Sequence, residues 1–409
     1  MKVQSHKYYI CITPFFPLEN NWRGAYIFDQ VKAIQRNSDY NVVVFKPSNK
    51  DGQYDIDGIR VYTFKSKATP SYMFNGLFCD YNSSRFVAKL QAMGIDIQNI
   101  KYVHCHSGIN GAYGIALKNI NPCIKVLLQH HNLDVFTVMN GWCAGWRLNA
   151  HYRAKKSIDI FNKVDLHICI SKPVKDSLLA FPNARKEEVY QPYIKRMKQM
   201  VGLPMVKPKD IYILYNGVDT SLFYPLRANK SLLSHNSQIF RIGCIANFQE
   251  LKDHITLIKA FEILIRKGFD NFRLSLLGTG VTRSSCEQYI KDNELSNYIE
   301  WPQEVSHDKL PDYYRSLDLF VLPSIFEGFG CVYTESAACG VPFIGVQHQG
   351  AAEYIIDEDR QKWLIKPRDY QGLACKIEDY FYYRYKQKLC KEYDINNLIK
   401  DFLYYLENV

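Results

Sequence analysis

From Val321 to Val346 the chain reads VLPSIFEGFGCVYTESAACGVPFIGV. The apolar run Leu319-Phe320-Val321-Leu322 has the length of a buried strand, and Pro323 and Ser324 stop it. Gly328 and Gly330 then let the backbone approach a ligand closely. A helix is expected to start near Gly330 or Cys331. Gly340 and Pro342 end it, as a glycine followed by a proline usually does. Phe343 to Val346 supplies the next strand. In an open parallel sheet, ligands sit at the carboxyl ends of strands, where Glu327 and the glycines fall. Carboxylates accept hydrogen bonds from hydroxyls, and exposed N–H groups at a turn or helix N-terminus favour phosphate. A nucleotide sugar uses all of these contacts. For either glutamate alone, the plainer reading is an acid favoured by the helix dipole.

The alternation continues in both directions. Upstream, strands are expected at Tyr8–Thr13, Asn41–Phe45, Val103–His106, Lys125–Gln129, Asp165–Ile170 and Ile211–Tyr215, with a helix over Tyr26–Gln35. After Phe223 it restarts with strand Arg241–Ala246, helix Asp253–Arg266 and strand Phe272–Leu277. A helix around Cys286–Asn293, a short strand near Ile299–Trp301 and a helix near His307–Ser316 follow. Two such blocks predict an α/β protein of two doubly wound, Rossmann-like domains. The expected division is 1–220, a polar linker at 221–238, a second domain at 239–390 and a terminal helical stretch at 391–409.

At 409 residues the chain is long enough for two average domains. Its twelve cysteines show no CxxC or metal-type spacing, and most sit in apolar runs. That usage predicts reduced, buried thiols in a cytoplasmic protein without a zinc site. No apolar run is long enough to span a bilayer. The apolar start is interrupted by Pro14 and Pro17, so it reads as a first strand rather than a signal peptide. Charge is uneven: residues 1–200 carry a net +13 and residues 201–409 a net −3. Two tracts mix cations with aromatic or sulfur side chains. One holds Trp142, Trp146, Arg147, Tyr152, Arg153, Lys155 and Lys156; the other holds Tyr193, Lys195, Arg196, Lys198, Lys207 and Lys209. They fit docking at an anionic membrane surface, set against a plainer solvated helix face. No recognition motif accompanies the charge, so nucleic acid is not expected.

The string EGFG, a second glutamate separated from the first by seven residues and the later GVP together resemble the retaining glycosyltransferases of family four (glycosyl transferases group 1). The hinge-like NGVD followed by FYP at Asn216–Pro225 strengthens the resemblance. It implies the GT-B architecture, two Rossmann-like domains facing across a cleft, with the final helix crossing back to the first. It implies no cofactor and no protein-bound metal. The implied partners are a nucleotide-sugar donor, UDP- or GDP-linked, and a glycan or lipid-linked acceptor, in surface polysaccharide or lipopolysaccharide synthesis. With the cysteine usage and the two basic tracts, the expected location is cytoplasmic, peripheral on the inner face of the cell membrane.

Residue by residue, the resemblance implies that Glu335 holds the ribose and Glu327 lies by the transferred sugar. Backbone N–H groups of Gly328, Phe329 and Gly330 would meet sugar hydroxyls or the diphosphate. Gly24, in WRGAY, matches the glycine that approaches the diphosphate. His131 matches a strand-ending histidine by the sugar, although the doublet leaves His130 as the alternative. Lys252 matches a diphosphate-binding lysine, while Asn247 stands where most members have arginine. A leaving diphosphate gains negative charge, so losing that cation weakens its stabilisation. Gly278-Thr279-Gly280 resembles the family's GxG, and Pro302 or Gln303 replaces a usual glycine before the base segment. His104 and His106 form an HxH pair, which without a third ligand makes a weak metal case. Two other readings stay open: a nucleotide-sugar epimerase on the same scaffold, and a weakly active nucleotide-sugar-binding protein.

Overall fold

A computed structural model describes residues 7–18, 22–69, 74, 76–131, 147–181, 203–226 and 239–408. The chain forms two compact units, the first up to Gly217 and again from Ile395, the second from Val218 to Asp394.

In the first unit, β1 (Tyr8–Ile12), β2 (Asn41–Ser48), β3 (Gly52–Ile56), β4 (Ile59–Lys65), β5 (Ile100–His106), β6 (Lys125–His130), β7 (Leu166–Cys169) and β8 (Ile211–Ile213) make one sheet. The order is β3-β4-β2-β1-β5-β6-β7-β8. The pairs are parallel except β3 with β4. That hairpin turns on Asp57 and Gly58, both at positive φ (44° and 78°). This is the Asp-Gly chemistry of a two-residue hairpin turn. Strands β1, β5 and β6 are almost wholly buried, as strands covered on both faces must be.

The helix Ala25–Arg36 follows β1, and Gly24 enters it at φ 92°. A Cβ on Gly24 would lie 2.9 Å from the Phe15 carbonyl oxygen, so both the backbone angle and the space require glycine. The last helix, Ile395–Asn408, buries Ile395, Ile399, Phe402 and Leu403 in the core that this first helix also lines. The i, i+4, i+7, i+8 spacing gives it one apolar face. Tyr102 donates its hydroxyl to the Leu406 carbonyl at 3.0 Å, and Tyr405 bonds Asp210.

In the second unit, β9 (Phe240–Ile245), β10 (Phe272–Leu277), β11 (Ile299–Glu300), β12 (Leu319–Val321), β13 (Phe343–Val346) and β14 (Leu364–Ile365) form a parallel sheet. Its order is β11-β10-β9-β12-β13-β14. The helix His254–Arg266 buries Leu257, Ile258, Phe261 and Leu264 against it. The helix Cys331–Ala338 is tied to the end of β12 by the Tyr333 hydroxyl, which donates to the Leu322 carbonyl at 2.6 Å. Phe223, in the stretch read as linker, is buried in this unit's core beside Tyr314. Residues 227–238 of that stretch lie outside the described residues.

Where the chain enters the last helix, Gly217 lies against Ile395, and a Cβ there would fall 2.6 Å from the Ile395 Cα. The NGVD glycine is therefore a contact residue as well as a turn residue. In each sheet the strand order reverses beside one strand, β1 in the first and β9 in the second. Loops leaving the carboxyl ends at such switch points are where open α/β sheets bind ligands. Gly24 follows β1, His106 ends β5, Asn247 and Lys252 follow β9, and Glu327 follows β12.

Candidate active site

The second unit gathers its reactive side chains at its switch point. Lys252 ends a single 3-10 turn, Glu250–Lys252. The amide of Ile325 donates to the Leu251 carbonyl at 2.8 Å, which joins that turn to the chain leaving β12. Lys252 and Glu327, 75 residues apart, therefore meet. The ammonium donates to both carboxylate oxygens, at 2.8 and 2.7 Å. Their side chains are 24% and 15% exposed, so the pair is shielded yet open to a ligand.

The glycine turn is backed by residues 349 and 350. Gln349 donates to the Ser324 carbonyl at 2.6 Å. A Cβ on Gly350 would fall 2.4 Å from the Gly328 carbonyl oxygen. Phe329 is buried with its ring edge-on to Tyr354, and this anchors the backbone of Gly328-Phe329-Gly330. Gly330 takes φ 80° as the helix begins.

Glu335 lies one turn into that helix. The Tyr314 hydroxyl donates to its Oε2 at 2.7 Å. Burial of the carboxyl raises its pKa from the ordinary 4.5 to about 7, and the tyrosine hydrogen bond pulls the other way. A desolvated carboxylate next to a buried hydroxyl is a strong acceptor for a pair of ligand hydroxyls. Tyr314 and the Gln349-Gly350 backing carry no sequence motif, and only the fold reveals them.

Asn247 is exposed. Its loop is fixed on both sides: the Phe248 amide donates to the Thr279 carbonyl at 2.8 Å, and the His254 ring stacks on Phe248 at 3.8 Å. Gly278 and Gly280 adopt φ 143° and 148°, and their Cβ positions would collide with the Ala246 and Phe248 carbonyl oxygens. Those glycines serve close packing between loops. Near the base segment, Arg283 lies 4.6 Å from the centre of the Trp301 ring.

In the first unit the histidine doublet separates. His130, the last residue of β6, is fully buried and bonds His167 across 2.8 Å. His131, one residue beyond the strand, is partly exposed, and its ring lies 5.1 Å from that of Tyr26. Its Nε2 is 2.8 Å from Nδ1 of His106. His131 is thus the member of the doublet at the strand's carboxyl end. His104 and His106 stack on each other at 4.4 Å. Among the described residues, no group of three or more His, Cys, Asp or Glu is placed to hold a metal ion.

Of the two basic tracts, Trp142, Trp146, Tyr193, Lys195, Arg196 and Lys198 lie outside the described residues. Another cationic and aromatic cluster lies in the first unit. Lys67 sits 4.2 Å over the Tyr81 ring, and Arg85 donates to the Tyr81 hydroxyl at 3.3 Å. Lys67 also lies 5.8 Å from the centre of the Phe78 ring, and Leu77, the preceding residue, is 51% exposed. The Lys67 backbone is held on both sides by the Asn82 amide at 2.8 Å.

Residues 229–396 match the family model described as Glycosyl transferases group 1. Over 170 residues the chain is 30% identical to the D-inositol 3-phosphate glycosyltransferase of Paenarthrobacter aurescens, covering 40% of this chain and 41% of that protein. Over 210 residues it is 27% identical to a Campylobacter jejuni N-acetylgalactosamine-N,N'-diacetylbacillosaminyl-diphospho-undecaprenol 4-alpha-N-acetylgalactosaminyltransferase, covering 49% and 54%. The chain thus spans about half, or less, of the length of these relatives. Its fold is similar to that of the Anabaena protein Alr3699/HepE solved with UDP-glucose, at a TM-score of 0.65 and 15% identity, covering 99% and 100% of the two chains. The fold is that of GT-B glycosyltransferases, two α/β domains built on parallel strands. The strand, glycine turn and helix of Val321–Val346 lie inside the segment that matches the glycosyl transferases group 1 model.

Proposed function

We propose that the protein transfers a sugar, with retention of configuration, from a UDP- or GDP-linked donor to a hydroxyl of a glycan or lipid-linked acceptor. The observation that carries this reading is the Lys252–Glu327 pair at the glycine turn, with the desolvated Glu335 one helical turn away. Glu335 accepts the ribose hydroxyls. Lys252, Asn247 and the backbone of Gly328-Phe329-Gly330 hold the diphosphate. Glu327 and His131 act on the transferred sugar, and Gly24 admits the diphosphate from the first unit. The bond between the anomeric carbon and the phosphate oxygen breaks as the acceptor oxygen attacks from the same face. The acceptor proton goes to the leaving phosphate. Lys252 compensates the charge that develops there. The UDP-glucose complex of the structural relative and the diphospho-undecaprenol substrate named for the Campylobacter relative support this choice of donor and acceptor class.

The test is a thermal-shift screen against UDP- and GDP-sugars, since a ligand that binds the native state raises its melting temperature. NMR of the product anomer then follows with an acceptor. Raised stability with one donor, together with a product of unchanged anomeric configuration, supports the reading. An absence of binding to any nucleotide sugar, or an inverted product, removes it.

A cytoplasmic site at the inner membrane face suits a lipid-linked acceptor. No helix among the described residues is long and apolar enough to cross a membrane. The Lys67–Tyr81–Arg85 cluster with Leu77 supports surface docking, because its cations contact aromatic rings rather than acids. At roughly 1 kcal/mol per basic residue near an anionic surface, replacing both Lys67 and Arg85 by glutamine is expected to weaken binding to phosphatidylglycerol vesicles by about tenfold or more. Co-sedimentation at fixed salt checks it, and unchanged binding removes this surface from the proposal.

A further inference from the structure

Three imidazoles form a row in the first unit. His104 and His106 occupy alternate positions of β5 and so project to one face. Their rings stack at 4.4 Å, and His106 meets the nearly coplanar ring of His131, 12° apart, through the 2.8 Å Nδ1 to Nε2 bond. At the inner end, His104 Nδ1 is 2.7 Å from the Tyr9 hydroxyl. His104 and His106 are each 1% exposed, whereas His131, one residue beyond its strand, is partly exposed with its Nδ1 covered.

We infer that His106 is a positioning residue for transfer, holding the His131 ring in one orientation and one tautomer towards the sugar. The inference rests on the glycosyltransferase reading and on the place of His131 in it. A neutral imidazole carries one N–H and one lone pair, so in the bond between His106 Nδ1 and His131 Nε2 one nitrogen donates and the other accepts, which couples the tautomer of His131 to that of the buried His106. A side chain that rotated freely at a strand end would lose that definition. The buried row keeps His106 neutral. Burial and the neighbouring histidines hold its pKa well below the ordinary value, and burial brings His104 to about 3. His106 therefore does not become a cation that would repel a protonated His131 and break the bond. Asn110 fixes the strand end by donating to the His106 carbonyl at 2.7 Å. The HxH pattern is thus explained by support of a neighbouring histidine rather than by metal ligation.

The experiment compares His106→Phe, which keeps a buried ring and removes the bond, with His106→Gln, which restores a polar partner. Each is made alone and with His131→Ala. In the His131 background, His106→Phe is expected to lower kcat by 10- to 100-fold with donor KM changed less than threefold. His106→Gln should recover to within about fivefold of wild type. In the His131→Ala background, His106→Phe should have no further effect on kcat. A merely structural role would give equal losses in Phe and Gln variants, or a further loss without His131, and either result overturns the inference, as does full activity of His106→Phe. If His106→Phe does not fold, His106→Leu, which also lacks a hydrogen-bonding group, takes its place in the same cycle. Failure of the glycosyltransferase reading itself would show separately, as wild-type protein that turns over no nucleotide sugar.

Discussion

Replacing Glu335 by glutamine is expected to stabilise the unliganded protein above neutral pH and, on the proposed reading of the site, to weaken nucleotide binding. The carboxyl has an ordinary pKa of 4.5 in the unfolded chain and about 7 in the fold, because burial penalises its charge. A raised carboxyl pKa means that folding takes up a proton between those two values, so stability falls as pH rises through them. The penalty is absent below pH 4.5 and complete above about 7. At about 1.4 kcal/mol per pH unit across that interval, it reaches about 3 kcal/mol. Glutamine has nearly the same volume and no charge. It should raise the melting temperature at pH 8 by about 5–10 °C and at pH 5 by little. Nucleotide affinity should fall about 100-fold, since hydrogen bonds to a charged acceptor are worth about 1.5–3 kcal/mol each. Wild-type affinity should rise about tenfold per unit as pH approaches 7 and then level off, because the ligand needs the ionised carboxylate. Melting curves and titration calorimetry at pH 5, 6 and 8 check all three. A variant that melts like wild type at every pH, or still binds nucleotide, refutes the assignment.

The opposed effects show what kind of residue Glu335 is. A half-buried acid with one hydroxyl partner, Tyr314, costs the fold stability, and a ligand that supplies further donors offsets that cost. The sequence showed Glu335 on a helix after a glycine turn, but not Tyr314, which reaches it from 21 residues away. The strand, turn and helix of Val321–Val346 were legible because each is set by local signals: an apolar run, positive-φ glycines and a Gly-Val-Pro stop. The hairpin at residues 52–65 carried an equally local signal, Asp57-Gly58 between alternating residues, and only the structure brought it out. His130 and His131 stayed ambiguous because consecutive strand residues face opposite ways and the strand's last residue was uncertain by one. The structure ends β6 at His130, which sends that ring into the core and leaves His131 at the edge. Contacts between distant segments, such as Lys252 with Glu327 and His106 with His131, depend on the order of strands in the sheet, which local patterns do not encode.

Lys252 and Glu327 should give mutations of opposite sign on binding and the same sign on turnover. In the unliganded protein the carboxylate holds the ammonium through both oxygens, at 2.8 and 2.7 Å. In the proposed site it occupies the cation that a diphosphate would use. Glu327→Gln removes the competing charge. Because such a partly exposed pair is worth about 1 kcal/mol, affinity for a nucleoside diphosphate should rise about fivefold. Transfer should nevertheless fall at least 100-fold, since the same carboxylate is proposed to lie by the sugar. Lys252→Ala should lower diphosphate affinity about tenfold or more and turnover by about 10²–10³, the usual loss when one stabiliser of developing charge is deleted. The double variant should fall short of the sum of the two, because the residues interact directly. Calorimetry with the nucleoside diphosphate and single-turnover transfer separate the two effects. If Glu327→Gln weakens diphosphate binding as Lys252→Ala does, the glutamate orients the lysine and does not compete for it. The ion pair would then be part of the bound state as well as the empty one.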